Sequence, residues 1–213
     1  PAWRPPRSRG GRPKPTPTTG RSAGSLPPGA PARWYARLVG LLREAAPGLR
    51  IAVDTSDEPL AALAAELPAS APDLIKPNGE ELGQLAGLPA ERAMALEEGA
   101  LRGDYGPVVD AARLLVGLGL GAVMVTLGPA GAVLVTADGA WHATAPEVPV
   151  VSTVGAGDST VAGYIRADVN GGDEAERLRT AMAYGSAAAS LPGTTLPTPA
   201  DLPEQAAVVT RLS

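Results

Sequence analysis

The sequence predicts an α/β fold in which helices cover both faces of a mostly parallel sheet. The chain has 213 residues, 45% of them hydrophobic and 19% charged, which suits one sizeable domain with a core of its own. Short apolar runs alternate with segments of helical periodicity, as they do in folds built from strand–helix–strand units. A glycine–proline turn divides two of the apolar runs, and a returning strand is expected there.

The first half of the chain shows the alternation most clearly. Residues 33–46 have an apolar face at helical spacing and stop at Pro47-Gly48, which predicts a helix with a defined end. A short apolar run at residues 51–53 predicts a buried strand that opens into Asp54-Thr55-Ser56. The same criteria predict a strand at residues 73–75 and helices at residues 59–67, 80–86 and 108–118.

The second half contains a stretch without charge, from Leu114 to Ala137, whose length alone would suit a transmembrane helix. Glycines and Pro129 interrupt this stretch, so no membrane segment is predicted. We expect a strand at residues 122–126, a tight turn at 128–131 and a returning strand at 132–136. Two long alanine-rich patterns predict helices at residues 156–169 and 174–190.

The amino-acid composition excludes several classes of function. The chain has no cysteine, so disulfides, cysteine zinc sites, thiol catalysis and iron–sulfur ligation are excluded. It has one histidine, His142, which excludes a metal site made of several histidines and leaves one candidate for a Ser-His-Asp triad. We place His142 on a surface strand and expect no catalytic role for it.

The amino-terminal segment differs in composition from the rest. Residues 1–19 hold six prolines and five basic residues, and half of the 18 basic residues precede Glu44, the first acidic one. We interpret residues 1–22 as a disordered head and residues 23–213 as the folded domain. A nucleic-acid-binding arm is the alternative, and no nucleic-acid partner is predicted. The chain lacks an initial methionine and an apolar leader, so no signal peptide is predicted.

The strongest motif is Val154-Gly155-Ala156-Gly157-Asp158-Ser159, which lies between an apolar run and a helical pattern. Its glycines allow a tight turn that points backbone N–H groups outward at a helix start, and such an arrangement binds anions such as a phosphoryl group. Beside such a site, Asp158 can accept a proton from an attacking hydroxyl. The alternative is an ordinary helix start with an acidic first turn.

A second motif is Lys76-Pro77-Asn78-Gly79-Glu80-Glu81-Leu82, directly after the strand at residues 73–75. Asn78 and Glu81 have the spacing of a capping box, which is a purely structural interpretation. They could also serve Mg²⁺ bound to phosphates. Lys76 favours a functional role, because it follows a parallel strand at the end where open α/β sheets bind ligands.

Two further motifs are less specific. Thr126-Leu127-Gly128-Pro129-Ala130-Gly131 turns with glycines after a strand, and alone it would be a hairpin turn. Gly24-Ser25-Leu26-Pro27-Pro28-Gly29 would expose Ser25 and backbone N–H groups, and alone it would be a generic loop.

In chain order, these motifs resemble the PfkB-type carbohydrate kinases of the ribokinase-like fold, most closely the 1-phosphofructokinase branch, with tagatose-6-phosphate kinases nearby. The resemblance implies a three-layer α/β/α sandwich. The residues that carry it are Gly24–Gly29, Trp34–Ala36, Asp54–Ser56, Lys76–Leu82, Thr126–Gly128, Val154–Ser159, Ala162-Gly163, Tyr184–Ala189 and Leu191–Thr194.

The resemblance also implies roles for single residues. Asp158 is the expected catalytic base and contacts the substrate, and the backbone of Gly155, Ala156 and Gly157 forms the anion hole. The other implied roles are phosphate contact for Lys76, organisation of Mg²⁺ and ATP by Asn78 and Glu81, nucleotide contact for Thr126 and Gly128, an adenine-pocket wall or monovalent-cation loop at Ala188 and Leu191, and a sugar-phosphate contact for Ser25.

The activity implied is the ATP-dependent phosphorylation of fructose 1-phosphate to fructose 1,6-bisphosphate in the cytoplasm. The family's amino-terminal strands, its sugar-binding glycine motif and its β-sheet lid are expected to be missing here. For the full-length parent, the resemblance implies a homodimer as one possible assembly. A lid excludes water during transfer, so a chain without one need not carry out the implied reaction. Two alternatives therefore stay open. They are another PfkB-type sugar kinase, such as tagatose-6-phosphate kinase, and a non-catalytic remnant that binds nucleotide.

Overall fold

The computed structural model describes residues 19–23, 26–27 and 29–213, and of residues 19–23 it describes the backbone alone. The described residues form one seven-stranded sheet with its strands in chain order, β1 to β7. The strands are β1 (Thr19–Ala23), β2 (Arg50–Asp54), β3 (Leu74–Ile75), β4 (Ala122–Thr126), β5 (Ala132–Thr136), β6 (Gly139–Ala143) and β7 (Val209–Arg211). The α-helices are α1 (Trp34–Ala45), α2 (Asp57–Ala65), α3 (Gly79–Leu85), α4 (Ala90–Leu101), α5 (Gly106–Gly117), α6 (Ala156–Val169) and α7 (Glu174–Ala189).

The direction of the strands agrees with the predicted α/β fold. Strands β1 to β4 pair in parallel, so their carboxyl ends lie at one edge of the sheet. The tight turn after β4 reverses the chain, and β5, β6 and β7 continue as antiparallel pairs. Since β6 runs in the same direction as β1 to β4, only β5 and β7 oppose the rest.

Two apolar cores, one on each face of the sheet, create three layers. Alternate residues of the central strands point to opposite faces, as the pleat of a strand requires. Helices α1 to α5 pack on the face that carries Ile51, Val53, Ile75, Val123 and Val125. Helices α6 and α7 pack on the face that carries Ala52, Leu74 and Met124. The predicted three-layer α/β/α sandwich is confirmed.

Some elements differ from the sequence-based prediction. Helix α4 was not predicted, because its buried positions include small residues such as Ala93 and Ala100 that give a weak apolar period. The three-residue β7 was not predicted either. Strand β1 begins at Thr19, four residues before the expected domain boundary at residue 23. The rest of the expected head, residues 1–18, lies outside the described residues. In the described ranges, no helix is both long and apolar enough to cross a membrane.

Helix α6 is held against its neighbours at both ends, and its start is therefore fixed. Its first half lies so close to α7 that a Cβ at Gly185 would be 2.2 Å from Thr160 Oγ1. Near its end, the buried carboxylate of Asp168 forms ion pairs with Arg50 of β2 and Arg177 of α7. These contacts determine where the amino end of α6 lies relative to the sheet.

Candidate active site

Residues predicted for the active site lie close together at the carboxyl ends of the parallel strands, opposite the start of α6. A cleft of about 350 Å³, which we call the small cleft, opens there. Ligands of open α/β sheets bind at this end. The residues that line the small cleft are Asp54, Thr55, Ser56, Glu81, Gly155, Gly157 and Asp158. Motifs that are about 75 residues apart in the chain thus meet at one place.

The start of α6 has the geometry that the glycine motif predicted. Gly155 is the residue before the helix and has a φ of 80°, a left-handed conformation that favours glycine. The first turn of a helix leaves amide groups without partners in the helix, and the aligned peptide dipoles add partial positive charge. The backbone at Gly155, Ala156 and Gly157 therefore suits an anion, although the Ala156 amide donates a hydrogen bond of 3.2 Å to Thr153 O.

Asp158 lies in the first turn of α6, is exposed, and lines the small cleft. A carboxylate at such a position can accept a proton from a hydroxyl bound in the cleft. The same position also suits a carboxylate that only stabilises the helix dipole. The geometry therefore agrees with both interpretations of Asp158, and its role as the base stays a prediction.

Lys76 follows β3 and lies directly beneath the start of α6. Its side chain is only 9% exposed, and its Nζ is 3.3 Å from Asp54 Oδ1 at the end of β2. A Cβ added at Gly157 would be 3.3 Å from both Cε and Nζ of Lys76. Glycine at position 157 thus allows the lysine charge to approach the backbone of the predicted anion hole.

Asp54 is a site residue to which the sequence reasoning gave no role. A buried lysine is costly unless it is paired, and Asp54 supplies the opposite charge. The rule that drew attention to Lys76, a polar residue directly after a parallel strand, applies equally to Asp54. What the sequence could not show is that β2 and β3 are neighbours in register, with Val53 opposite Ile75.

Asn78 and Glu81 form the capping box that their spacing predicted. Asn78 Oδ1 accepts a hydrogen bond of 2.8 Å from the Glu81 amide, and Glu81 Oε2 accepts one of 2.8 Å from the Asn78 amide. Burial raises the pKa of Glu81, while the hydrogen bond from Asn78 and the charge of Lys76 act in the opposite direction. The structural interpretation of this pair is correct, and the capping box leaves the second carboxylate oxygen of Glu81 outside its two hydrogen bonds.

The same pair can serve a divalent cation that a bound phosphate shares. A carboxylate has two oxygens, and the capping box uses one of those of Glu81. Mg²⁺ bound to phosphates typically takes one or two protein carboxylates and keeps several waters. Among the residues described, no three histidine, aspartate or glutamate side chains are placed to hold a metal by themselves. The donor set fits a magnesium ion that arrives with phosphate.

A second, larger cleft of about 830 Å³ lies on the other side of the α6 start. We call it the large cleft. The turn after β4 forms one wall, and one face of α7 forms another. Its lining residues are Thr126, Gly128, Pro129, Gly131, Ala145, Pro146, Glu147, Val148, Val150, Thr153, Ala156, Gly157, Thr160, Met182, Gly185, Ser186 and Ala189. Thr126 and Gly128 both line this cleft, and their contact with a nucleotide stays a prediction.

The role predicted for Ala188 and Leu191, an adenine-pocket wall or a monovalent-cation loop, stays a prediction. Within the described structure, Ala188 and Leu191 line neither cleft, and the side chain of Ala188 is buried. Met182, Gly185, Ser186 and Ala189 line the large cleft instead, because residues three or four apart share a helix face. The predicted sugar-phosphate contact, Ser25, lies outside the described residues.

The two clefts meet at Gly157, which lines both. Lys76 lies beneath this residue, and the amino end of α6 points to the junction. A group passing from a ligand in one cleft to a ligand in the other would therefore cross the predicted anion hole. This arrangement suits the transfer of an anionic group between two bound molecules.

The sequence predicted that His142 lies on a surface strand, and the structure differs. The histidine lies in β6 with only 8% of its surface exposed, so this expectation is corrected. Tyr105, which precedes α5, stacks on its ring, and the sequence pattern did not reveal this contact. His142 lines neither cleft, and the expectation that it has no catalytic role stays a prediction.

Comparison with known proteins identifies relatives of this architecture. The model of the pfkB family of carbohydrate kinases matches residues 19–201. The 1-phosphofructokinase of Rhodobacter capsulatus is 43% identical over 188 residues, which are 88% of this chain and 54% of the relative. The 1-phosphofructokinase of Escherichia coli K12 is 37% identical over 194 residues, 89% of this chain and 54% of the relative.

A solved structure gives the same result. Phosphofructokinase-2 from Escherichia coli, crystallised in complex with potassium, superposes with a TM-score of 0.71 at 32% sequence identity. The superposition covers 86% of this chain and 54% of that one. The chain thus spans about half the length of the curated relatives and of the solved structure that it matches.

Proposed function

The chain belongs to the pfkB family of carbohydrate kinases, and from this premise we propose that it carries the nucleotide-binding and catalytic part of an ATP-dependent kinase for a sugar phosphate. The substrate is fructose 1-phosphate, phosphorylated at its 6-hydroxyl to fructose 1,6-bisphosphate, and the enzyme works in the cytoplasm. The meeting of the two clefts at Gly157, above Lys76, is the single observation that carries the proposal.

In this proposal ATP occupies the large cleft, and its phosphates reach the start of α6. The volume of about 830 Å³ and the mostly apolar walls suit a nucleoside. The phosphosugar enters the small cleft, which has more acidic residues and the exposed Asp158. The backbone amides of Gly155, Ala156 and Gly157 bind the phosphoryl group, and the charge of Lys76 supports them from below.

The transfer step follows from these positions. The acceptor hydroxyl oxygen attacks the γ-phosphorus of ATP, a new P–O bond forms, and the bond to the leaving ADP breaks. Asp158 takes the hydroxyl proton as the oxygen attacks. Such a reaction needs positioning and charge stabilisation more than covalent help from the protein. The protein's own task is therefore to align the two ligands and to stabilise the negative charge.

Two cations belong to the proposal. Glu81 and Asn78 would hold Mg²⁺, which supplies positive charge to the nucleotide phosphates when bound. A monovalent cation near Ala188 and Leu191 is the second, and the similar phosphofructokinase-2 from Escherichia coli has been crystallised in complex with potassium. A homodimer of the full-length parent remains part of the proposal, with its interface unassigned.

Calorimetry and an activity assay test the proposal together. The chain should bind Mg-ATP, and with fructose 1-phosphate it should release ADP and form fructose 1,6-bisphosphate. Absence of Mg-ATP binding by a folded sample would refute the nucleotide assignment. Binding without turnover would select the non-catalytic alternative. Faster turnover of tagatose 6-phosphate would replace the proposed sugar and retain the mechanism.

A further inference from the structure

The turn between β4 and β5 forms a wall of the large cleft, so its position bears on any ligand there. We call Leu127–Gly131 the glycine turn. Gly128, Pro129 and Gly131 line the large cleft, while Leu127 is buried in the core. Three internal hydrogen bonds close the turn on itself: Ala130 N–H to Leu127 O at 3.1 Å, Gly131 N–H to Gly128 O at 3.0 Å and Leu127 N–H to Gly131 O at 2.9 Å.

These internal bonds give the turn its shape, and other contacts attach it to the sheet. Its beginning is joined to the segment after β3 through the Thr126 amide, which donates to Pro77 O at 2.9 Å. Its end presses against β6, since a Cβ at Gly131 would be 2.0 Å from Ala143 O. Gly131 also has a φ of 88°, so both space and conformation require glycine there.

His142, next to that contact on β6, supplies the side-chain link. Its Nε2 is 2.8 Å from the carbonyl oxygen of Ala130. A carbonyl can only accept, so Nε2 carries the hydrogen and donates it. The ring stacks on Tyr105, with centroids 4.0 Å apart and planes 25° apart, and Tyr105 precedes α5. The imidazole is thereby held between the start of α5 and the end of the glycine turn.

We propose that His142 is a positioning residue of the nucleotide site, which fixes the glycine turn through its bond to Ala130 and so sets the width of the large cleft. It acts through the turn and touches no ligand. The proposal rests on the proposed function, because the ligand of the large cleft is taken to be a nucleotide. Because the glycine turn forms a wall of the large cleft, the loss of this partly buried hydrogen bond is expected to weaken ligand binding as well as stability.

Two substitutions at position 142 separate the hydrogen bond from packing. His142→Phe keeps a ring that can stack on Tyr105 and removes the donor. His142→Gln loses the ring but places an amide N–H at the reach of Nε2. Arg43→Gln is the stability control, because Arg43 bonds to Leu49 O and Asp73 at the opposite, amino end of the strands.

Calorimetric titration with Mg-ADP gives the first measurement. We expect His142→Phe to weaken binding about three- to tenfold, the value of one buried hydrogen bond expressed as affinity. His142→Gln should stay within about twofold of the parent chain. Arg43→Gln should bind as the parent does, although it unfolds more easily. Unchanged binding by His142→Phe would overturn the proposal, and so would equal weakening by Arg43→Gln, which would indicate a general loss of stability.

Amide hydrogen exchange of the nucleotide-free protein gives the second measurement. In His142→Phe, the amides of Leu127 and Gly131 should exchange several-fold faster, while those of α6 keep their parent rates. If the parent chain binds no Mg-ADP, the proposed function fails, and exchange alone decides the role of His142. Faster exchange confined to the glycine turn then supports His142 as its anchor, and unchanged exchange refutes it.

Discussion

The buried ion-pair cluster around Asp168 should be the largest single electrostatic contribution to the stability of the α6 layer. The side chain of Asp168 is 6% exposed, and its two oxygens lie 2.6 and 2.5 Å from Arg50 Nη1. Arg177 Nε is 2.9 Å from Oδ1, an ion pair without the angle of a hydrogen bond. Asp168→Asn keeps the volume of the side chain and removes the only negative charge of this group of three.

The size of the effect follows from burial. Removing one partner of a buried pair costs about 3–5 kcal/mol, because the other charge stays buried without compensation. Arg50 is 40% exposed on its side chain and can partly regain water, and Arg177, although only 20% exposed, keeps its ion pair with Glu174 at 3.4 Å. We therefore expect the lower end, about 3 kcal/mol. With a urea dependence of about 2–3 kcal/mol per molar, the unfolding midpoint should fall by about 1–1.5 M.

Glu176→Gln on α7 provides the matched control, since it also converts an acid to its amide in an arginine ion pair. The Glu176–Arg179 pair is 52% and 37% exposed, respectively, so its loss should cost less than about 1 kcal/mol. Urea unfolding followed by circular dichroism measures both variants. Midpoints of the two variants that agree within error would refute the reasoning, because burial would then not determine the value of these charges.

Three further predictions concern the site and its support. In a turnover assay, Asp158→Asn should lower kcat by about 10²–10⁴-fold with little change in ATP affinity, and a retained kcat would end its assignment as the base. Burial raises the pKa of Glu81 above its usual 4.5, so the folded wild-type protein loses stability as the pH rises through that raised pKa. Glu81→Gln should therefore be the more stable protein in urea at pH 7, with an advantage that disappears below pH 4.5, and it should bind Mg-ATP more weakly. Gly185→Ala should destabilise the protein by about 1–3 kcal/mol in thermal unfolding, because its Cβ would meet Thr160 Oγ1, and Thr160→Ala should recover part of that loss if this contact is the cause.

Sequence reasoning succeeded where a local pattern determines the structure. The bounds of β4, β5 and α6 agree with the prediction, because alternating β-branched residues and a glycine-marked helix start are local signals. The capping box of Asn78 and Glu81 is local in the same sense, since both hydrogen bonds span three residues. The motif residues at the carboxyl ends of strands also met, because parallel pairing brings those ends together.

The failures concern features that depend on distant neighbours. The role of Asp54 depends on Lys76, and the burial of His142 depends on Tyr105, which stacks on its ring. Ala188 and Ala189 are adjacent in an alanine-rich helix, and only the packing of α7 on the sheet decides which of them faces the large cleft. A one-residue error in the phase of a helix moves a side chain by about 100° around its axis.

The acidic residues around the small cleft predict that a cation assists phosphate binding. Asp54, Glu81 and Asp158 line it, and Lys76 is paired with Asp54. Two unit charges about 10 Å apart at an effective dielectric of 20 interact by about 1.7 kcal/mol, so the carboxylate of Glu81 alone would repel a nucleotide's phosphates by more than the factor of ten that about 1.4 kcal/mol represents. The start of α6 offsets part of this repulsion, with about half a charge, and Mg²⁺ would offset the rest. Calorimetry should therefore find ADP bound at least about tenfold more weakly with EDTA than with Mg²⁺, and the difference should shrink in Glu81→Gln. Equal affinities with and without Mg²⁺ would show that the acids of the small cleft do not act on the nucleotide phosphates, and the assignment of Glu81 to the cation would fail.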